Sequence, residues 1–264
     1  LYVHVRSGKH RIRDEDAVMK TATDLREIKK LARMFVMLDI QNTEYSPLIV
    51  KHPFTDSGMV AYRTEDGGIA QADITSDPAA LELWQQEKFR QIKEARTPHE
   101  ISFMITKSYS LAFLKYAAPH LSNQDLSEML SDVWVRTESP NNDPNMSKNR
   151  LLSLFKKAQP QFLMDKDEYE AFQNLEDTVT VYRGVTSHNA KNIKALSWTL
   201  SYDTADWFAH RFGEDGTVYE AQIDREHIYA YFNRRNEQEV IVDPKYLMDI
   251  TEAETMEQTG AITL

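Results

Sequence analysis

The sequence predicts an α+β protein in which a mostly helical first part precedes a strand-rich second part. Three observations carry this. Leu126, Met129, Leu130, Val133 and Trp134 fall at i, i+3, i+4, i+7 and i+8, a full helical stripe of the kind that builds a core. From Thr178 onward the texture changes to short apolar runs: Val179–Tyr182, Ala195–Thr199, Val218–Ile223, Ile228–Tyr231 and Glu239–Val242. Only one helical segment, about Thr204–Phe212 with Asp203 as its N-cap, interrupts those runs. With 264 residues the chain holds one large domain or two small ones. We divide it into 1–175 and 176–264. The boundary is soft, because roughly 90 residues is small for an independent domain and the preceding helices could belong to the second fold.

In chain order, Tyr2–Arg6 alternates like a short strand, and residues 14–38 read as a helix with Leu25, Ile28, Ala32, Phe35 and Val36 on one face. Strand candidates follow at Pro47–Lys51 and Met59–Arg63. The Asp66-Gly67-Gly68 turn joins the second of these to Ile69–Ile74. Asp77-Pro78 is an N-cap followed by proline at the first helical position, and that helix runs to about Arg96 before Pro98. A second helix is expected over 99–118, and Ser122 with Asp125 opens a third. Residues 137–147, with two prolines and three asparagines, read as a loop able to serve as a hinge or lid. Short helices at about 148–158 and 165–175 precede the strands.

Composition excludes several classes of function. There is no cysteine, so disulfides, thiolate metal sites and thiol nucleophiles are ruled out. The eight histidines are scattered without an HExxH-like pair, so no metal is expected. No GxGxxG, GxxxxGK[ST] or GxSxG segment appears. No apolar run approaches the roughly 18 residues of a membrane span, and no signal peptide is visible, although a leader could have preceded Leu1. A cytoplasmic protein without a membrane partner is expected. Net charge is −10, of which residues 176–264, with 8 basic and 16 acidic residues, carry −8. That balance disfavours nonspecific nucleic-acid binding by the second part. The first 34 residues hold nine basic and five acidic residues, enough for a local basic face.

Three triplets stand at the edges of apolar runs: Tyr182-Arg183-Gly184, Ser197-Trp198-Thr199 and Glu237-Gln238-Glu239. Each is ordinary alone: an arginine at a strand end, hydroxyls in a strand, acids on a solvated edge. Together, on three strands, they could converge on one cleft. Arg183 offers a planar, permanent cation suited to phosphate or ribose oxygens. Ser197 and Thr199 share a strand face by the period of two, and so do Glu237 and Glu239.

An arginine on a first strand, a Ser-x-Thr/Ser on a second and a Glu-x-Glu on a later one resembles the mono-ADP-ribosyltransferases of the arginine-serine-glutamate class. The segments VYRGV, ALSWTLSYDTADWFAHRF, VYEAQI and AYFNRRNEQEVIVDP extend the resemblance over about 178–246. It implies a split, mostly antiparallel β-sandwich, with the helical part packed on it and NAD as co-substrate in its cleft. It also implies transfer of ADP-ribose to a macromolecule with release of nicotinamide, in the manner of a bacterial or phage toxin, effector or host-modifying factor.

By the same resemblance Glu239 stabilises the oxocarbenium-like ribose, and Glu237 orients or deprotonates the acceptor, arginine being the acceptor that goes with Glu at this position. Arg183, Gly184, Ser197 and Thr199 bind NAD, with Phe208 and its neighbour Trp207 able to stack on nicotinamide or to sit in the core. Gly184 would let the backbone approach the nicotinamide ring, and Ser197 would hold either the ribose or Glu239. Tyr231, Phe232, Arg234 and Arg235 lie in the loop that would recognise substrate. The turn Gly213–Gly216 lies where the family closes over NAD. Ser-Trp-Thr departs from the family's Ser-Thr-Ser, and Trp198 is expected to shape the cleft wall. RNA or DNA as acceptor, hydrolysis of NAD by water, and a non-catalytic interaction module remain alternatives. The first part would select a target, bind a neutralising antitoxin or immunity partner, or complete the fold.

Overall fold

The computed structural model describes residues 20–64, 66–187, 192–213 and 215–253. The strand expected over residues 2–6 and residues 14–19 of the helix expected over 14–38 lie outside them; residues 20–24 are not helical, and the helix starts at Leu25. The chain is mixed α and β with antiparallel sheets, and it divides into two compact units after Met146. The helices of residues 148–173 therefore cluster with the strands rather than with the first part, so the boundary lies ahead of the one near 176.

In the first unit, α1 (Leu25–Val36) begins at Asp24, whose carboxylate accepts from the Glu27 amide. Its apolar stripe, Ile28, Ala32, Phe35 and Val36, is buried, and Phe35 meets Phe113 edge-on at 5.4 Å. Then come β1 (Gln41–Asn42), β2 (Ile49–His52) and β3 (Thr55–Ser57), which form one small sheet, and the hairpin β4 (Met59–Arg63) and β5 (Ile69–Asp73). Gly67, at φ +85°, makes the hairpin turn possible. Helix α2 (Pro78–Glu94) is capped by Asp77 as its sequence indicates.

The single helix expected over 99–118 is two, α3 (Pro98–Phe103) and α4 (Lys107–Ala117). The break has a tertiary cause: the Thr106 amide donates to the Pro53 carbonyl and its hydroxyl to the His52 carbonyl. Helix α5 (Asn123–Arg136) is capped by Ser122, and its whole predicted stripe is buried.

His52 lies in this core, its ring edge-on to Trp84 at 5.2 Å and its Nδ1 accepting from the Phe54 amide. Burial pulls its pKa down to about 4, against the opposing carbonyls of Val36 and Leu38. Above pH 6.5 the group is neutral in both states. Between pH 6.5 and 4 the unfolded chain binds a proton that the folded chain refuses, so stability falls by up to about 1.4 kcal/mol per pH unit. His99 acts oppositely. A hydrogen bond to Asp132, then the charges of Glu128, Asp132 and Asp125, hold it above its usual range despite burial, so its contribution is lost as pH rises. His52→Asn is expected to flatten the acid limb of the melting temperature against pH, and proton NMR should find the wild-type His52 ring neutral at pH 5.

The second unit opens with α6 (Lys148–Lys157), α7 (Pro160–Leu163) and α8 (Lys166–Gln173), all against one edge strand of a six-stranded antiparallel sheet. The strands are β6 (Thr178–Val185), β7 (Ser197–Thr199), β8 (Thr217–Asp224), β9 (Ile228–Phe232), β10 (Glu239–Val242) and β11 (Met248–Glu252), in the order β11-β8-β6-β7-β10-β9. Helix α9 (Tyr202–His210) lies on β6 and β8, and its cap is Ser201, whose hydroxyl accepts from the Thr204 amide, rather than Asp203.

The sheet is joined unevenly. β6 and β8 pair along eight residues, and β7, β10 and β9 form a second set, but β6 meets β7 at the single pair Tyr182↔Thr199. The described strands thus form one ladder with two three-stranded halves opening apart beyond Tyr182. Among the described residues no helix is long and apolar enough to cross a membrane.

Candidate active site

The opening between β6 and β7 follows from alternation along β7. The Leu196 carbonyl accepts from Val242 and the Leu200 amide donates to Gln238, so the even-numbered main-chain groups of β7 face β10. Those of Ser197 and Thr199 face β6. The Ser197 carbonyl meets no β6 amide there. It accepts instead from Arg183 Nη1 at 2.6 Å. The guanidinium thus stands where the next rung of the ladder would be, and wedges the two halves.

On the other side of β7, Ser197 lies opposite Ile241 and diagonal to Glu239. Cross-strand diagonals on one face are within reach of side-chain contact. The Ser197 hydroxyl donates to Glu239 Oε1 at 2.5 Å. Arg183, Ser197 and Glu239, 56 positions apart from first to last in the sequence, are joined in one short chain of hydrogen bonds.

Glu239 is buried, with its side chain 8% exposed. Burial draws the Arg183 guanidinium down to about 10, with Glu239 pulling the other way and Arg211 adding a like-charge push. Arg183 stays cationic at neutral pH, with its Nε buried and unpaired. Arg235 Nη2 sits 2.8 Å from Glu237 Oε2 and 3.9 Å from Glu239 Oε2, so one guanidinium spans both acids.

The segment before β10 is held tightly. Asn236 and Gln238 adopt φ of 57° and 45°, left-handed values that a glutamine avoids, and the chain there is not a regular strand. The period-two reading of Glu237 and Glu239 therefore does not apply; a kink, with Arg235 between them, brings the two acids together. The Thr199 hydroxyl donates to the Glu237 carbonyl at 2.7 Å and accepts from the Ser201 amide. The Asn233 side chain accepts from the Gln238 amide. Strained non-glycine backbone held by specific bonds is characteristic of functional sites.

Several expected site residues are placed otherwise. Gly184 does not face open space for a ring: a Cβ there would lie 2.1 Å from the Ala205 carbonyl oxygen and 2.6 Å from the Ala209 nitrogen, so its missing side chain makes room for α9. Thr199 spends its hydroxyl on the loop. Tyr231 and Phe232 end strand β9 at 8% and 3% exposure, in the core rather than in a recognition loop. Arg234 is tied back to Glu168 at 3.2 Å and to the Leu163 carbonyl. Trp198 points into the core, its Nε1 donating to the Ala195 carbonyl, and does not line the opening. Phe208 is half-buried beneath the Arg211 guanidinium, 4.9 Å from it, and edge-on to Trp207, which is 61% exposed rather than core. In the turn after α9, residue 214 lies outside the described residues, and Gly216 is packed against the Ala209 and Val185 carbonyls.

Two contributors escaped the sequence reading. Arg211 adds a second cation beside Arg183. Buried Glu168 accepts from the Asn233 amide at 2.8 Å as well as from Arg234, and so anchors the start of the acidic loop. Its signal was present: Asp165 and Glu168 form a reciprocal capping box at the head of α8.

No metal was expected, yet in the first unit His99, Asp125 and Glu128 offer ligand atoms within 4.8 Å of one another. Asp125 Oδ2 also accepts from the Thr23 and Ser122 hydroxyls, and Asp125, Glu128 and Asp132 lie 3.8, 3.0 and 3.7 Å from the ring nitrogens of His99. No protein-family model, curated protein or solved structure matches the chain.

Proposed function

We propose that the second unit is an NAD-dependent mono-ADP-ribosyltransferase with arginine as acceptor, on a sheet of the split kind that these enzymes use. The observation that carries this reading is the hydrogen-bonded chain Arg183–Ser197–Glu239 across three adjacent strands. Its order matches the motif order of the class that the sequence resembles, and the sheet opens where it sits.

Each residue has a role that fits its surroundings. Glu239, positioned by Ser197, stabilises the positive charge that builds on the ribose as the bond to nicotinamide breaks. Arg183 both props the halves apart and, with Arg211, supplies positive charge for a pyrophosphate. Glu237, at the mouth, accepts the proton of an incoming guanidinium.

Labelled NAD added to a cell lysate with the purified protein tests the acceptor. Label on protein, removed by reagents that cleave arginine-linked ADP-ribose, is the expected result. Label on RNA or DNA would change the acceptor class, and free ADP-ribose alone would make the protein an NAD hydrolase.

A further inference from the structure

In the first unit, α3 sets His99 against α5, and α5 presents Asp125 and Glu128 to it. The two acids are three residues apart, the spacing that puts side chains on one helix face. Asp125 Oδ1 and Glu128 Oε2 lie 3.8 and 3.0 Å from His99 Nε2, and the three atoms lie within 4.8 Å of one another. Ligand atoms bound to one ion at about 2.1 Å stand roughly 3.0–3.8 Å apart at bond angles of about 90–130°.

Two features separate this cluster from a simple ion pair. The first is the ring nitrogen itself. His99 Nε2 is buried and makes no hydrogen bond among the described residues. The Glu128 oxygen is near enough to accept from it at 3.0 Å, so the missing bond means that the oxygen lies off the direction of the ring N–H. A carboxylate set beside that direction suits an ion on it better than a proton. The second feature is how the donors are held. Asp125 Oδ2 accepts from the Thr23 and Ser122 hydroxyls, and Glu128 Oε1 accepts from the Gln124 side-chain amide. Each acid thus has one oxygen tied and turns the other to His99. Asp132 Oδ2 stands 3.7 Å from Nδ1, the opposite ring nitrogen, where a carboxylate fixes the tautomer of a ligating histidine.

We propose that His99, Asp125 and Glu128 bind a divalent transition-metal ion, with Asp132 orienting the histidine and water completing the shell. The imidazole favours zinc and its neighbours in the transition series over magnesium and calcium, which prefer oxygen donors. On binding, the ion replaces the Nε2 proton, which leaves to solvent. It clamps α3 to α5 and, through Thr23, to the segment ahead of α1. The inference stands on the first unit alone, whether or not the second unit uses NAD.

The experiment strips the purified chain with a chelator and titrates it with zinc chloride by calorimetry, with magnesium and calcium chloride as comparisons. One zinc ion per chain is expected. At about a hundred times its dissociation constant the ion should raise the melting temperature by roughly 5–10 °C. His99→Gln and Glu128→Gln, each checked for folding by circular dichroism, should abolish the uptake, and Asp132→Asn should weaken it by about 10-fold at the same stoichiometry. Cobalt(II) on the wild-type protein gives a reading that needs no variant: the His99 ring signals should show paramagnetic shifts, and unshifted signals would overturn the inference. Absence of zinc uptake would leave an ionic cluster and overturn it. So would uptake unchanged in folded His99→Gln, which would place the ion at other histidines. Tighter binding of magnesium or calcium than of zinc would overturn the class of metal.

Discussion

Glu239→Gln is expected to lower ADP-ribose transfer at saturating NAD by about 10³-fold, the scale of removing one preorganised group that stabilises developing charge. Glutamine keeps the length and planarity of the side chain and can still accept from Ser197, so the effect isolates the charge. NAD affinity should change far less, because the carboxylate acts on charge that appears only as the glycosidic bond breaks. The measurement is single-turnover transfer beside an equilibrium binding titration. The substitution also leaves Arg183 without the anion that offsets its burial, so a thermal melt must accompany it. A modest loss of stability with an intact melt is expected. Ser197→Ala should show a smaller loss of the same kind, since it frees the carboxylate without removing it.

The second large effect is on folding. Gly184→Ala is expected to cost about 3 kcal/mol or more, because the new methyl group would meet main-chain atoms that cannot rotate away. Its Cβ would stand 2.1 Å from the Ala205 carbonyl oxygen, 2.6 Å from the Ala209 nitrogen and 3.0 Å from the Phe208 carbonyl carbon. Helix α9 must then lift from β6, taking Phe208 and, just beyond the helix, Arg211 with it. Thermal unfolding followed by circular dichroism should show a drop on the order of 10 °C or more. A variant with unchanged melting and changed NAD affinity would return Gly184 to the binding role that its place beside Arg183 suggests.

That glycine shows where sequence reading stops. Its position at a strand end, next to an arginine, is visible in one dimension; the helix that presses on it is not. The strands of the second unit were legible because alternation and β-branched residues mark them. β11 was not, because Met248–Glu252 is mostly exposed and carries no apolar face. The split between α3 and α4 depends on Thr106 bonding a segment more than fifty residues earlier, which no local signal encodes. Tyr231 and Phe232 were placed in the recognition loop by the resemblance, although Tyr231 also closed the predicted strand; the strand continues through Phe232 and buries both.

For the candidate site, the order of the three motifs was enough to bring Arg183, Ser197 and Glu239 together on paper, because residues on neighbouring strands meet wherever register allows. The wedge that Arg183 forms against the Ser197 carbonyl depends on how β7 registers with its neighbours, and the bracket that Arg235 forms across the two acids lies beside the kinked backbone at Asn236 and Gln238. Positive φ at a glutamine has no sequence signature. Arg211 went unnoticed for a similar reason: it follows a helix whose packing alone brings it near Arg183.

The central claim is that this hydrogen-bonded cluster cleaves NAD. The most direct measurement supplies the purified, folded protein with NAD and a small guanidino compound, and follows nicotinamide and the guanidino adduct together. The account requires both to appear with the wild-type protein and neither to appear at a comparable rate with Glu239→Gln. A folded wild-type protein that neither binds NAD nor releases nicotinamide would contradict it.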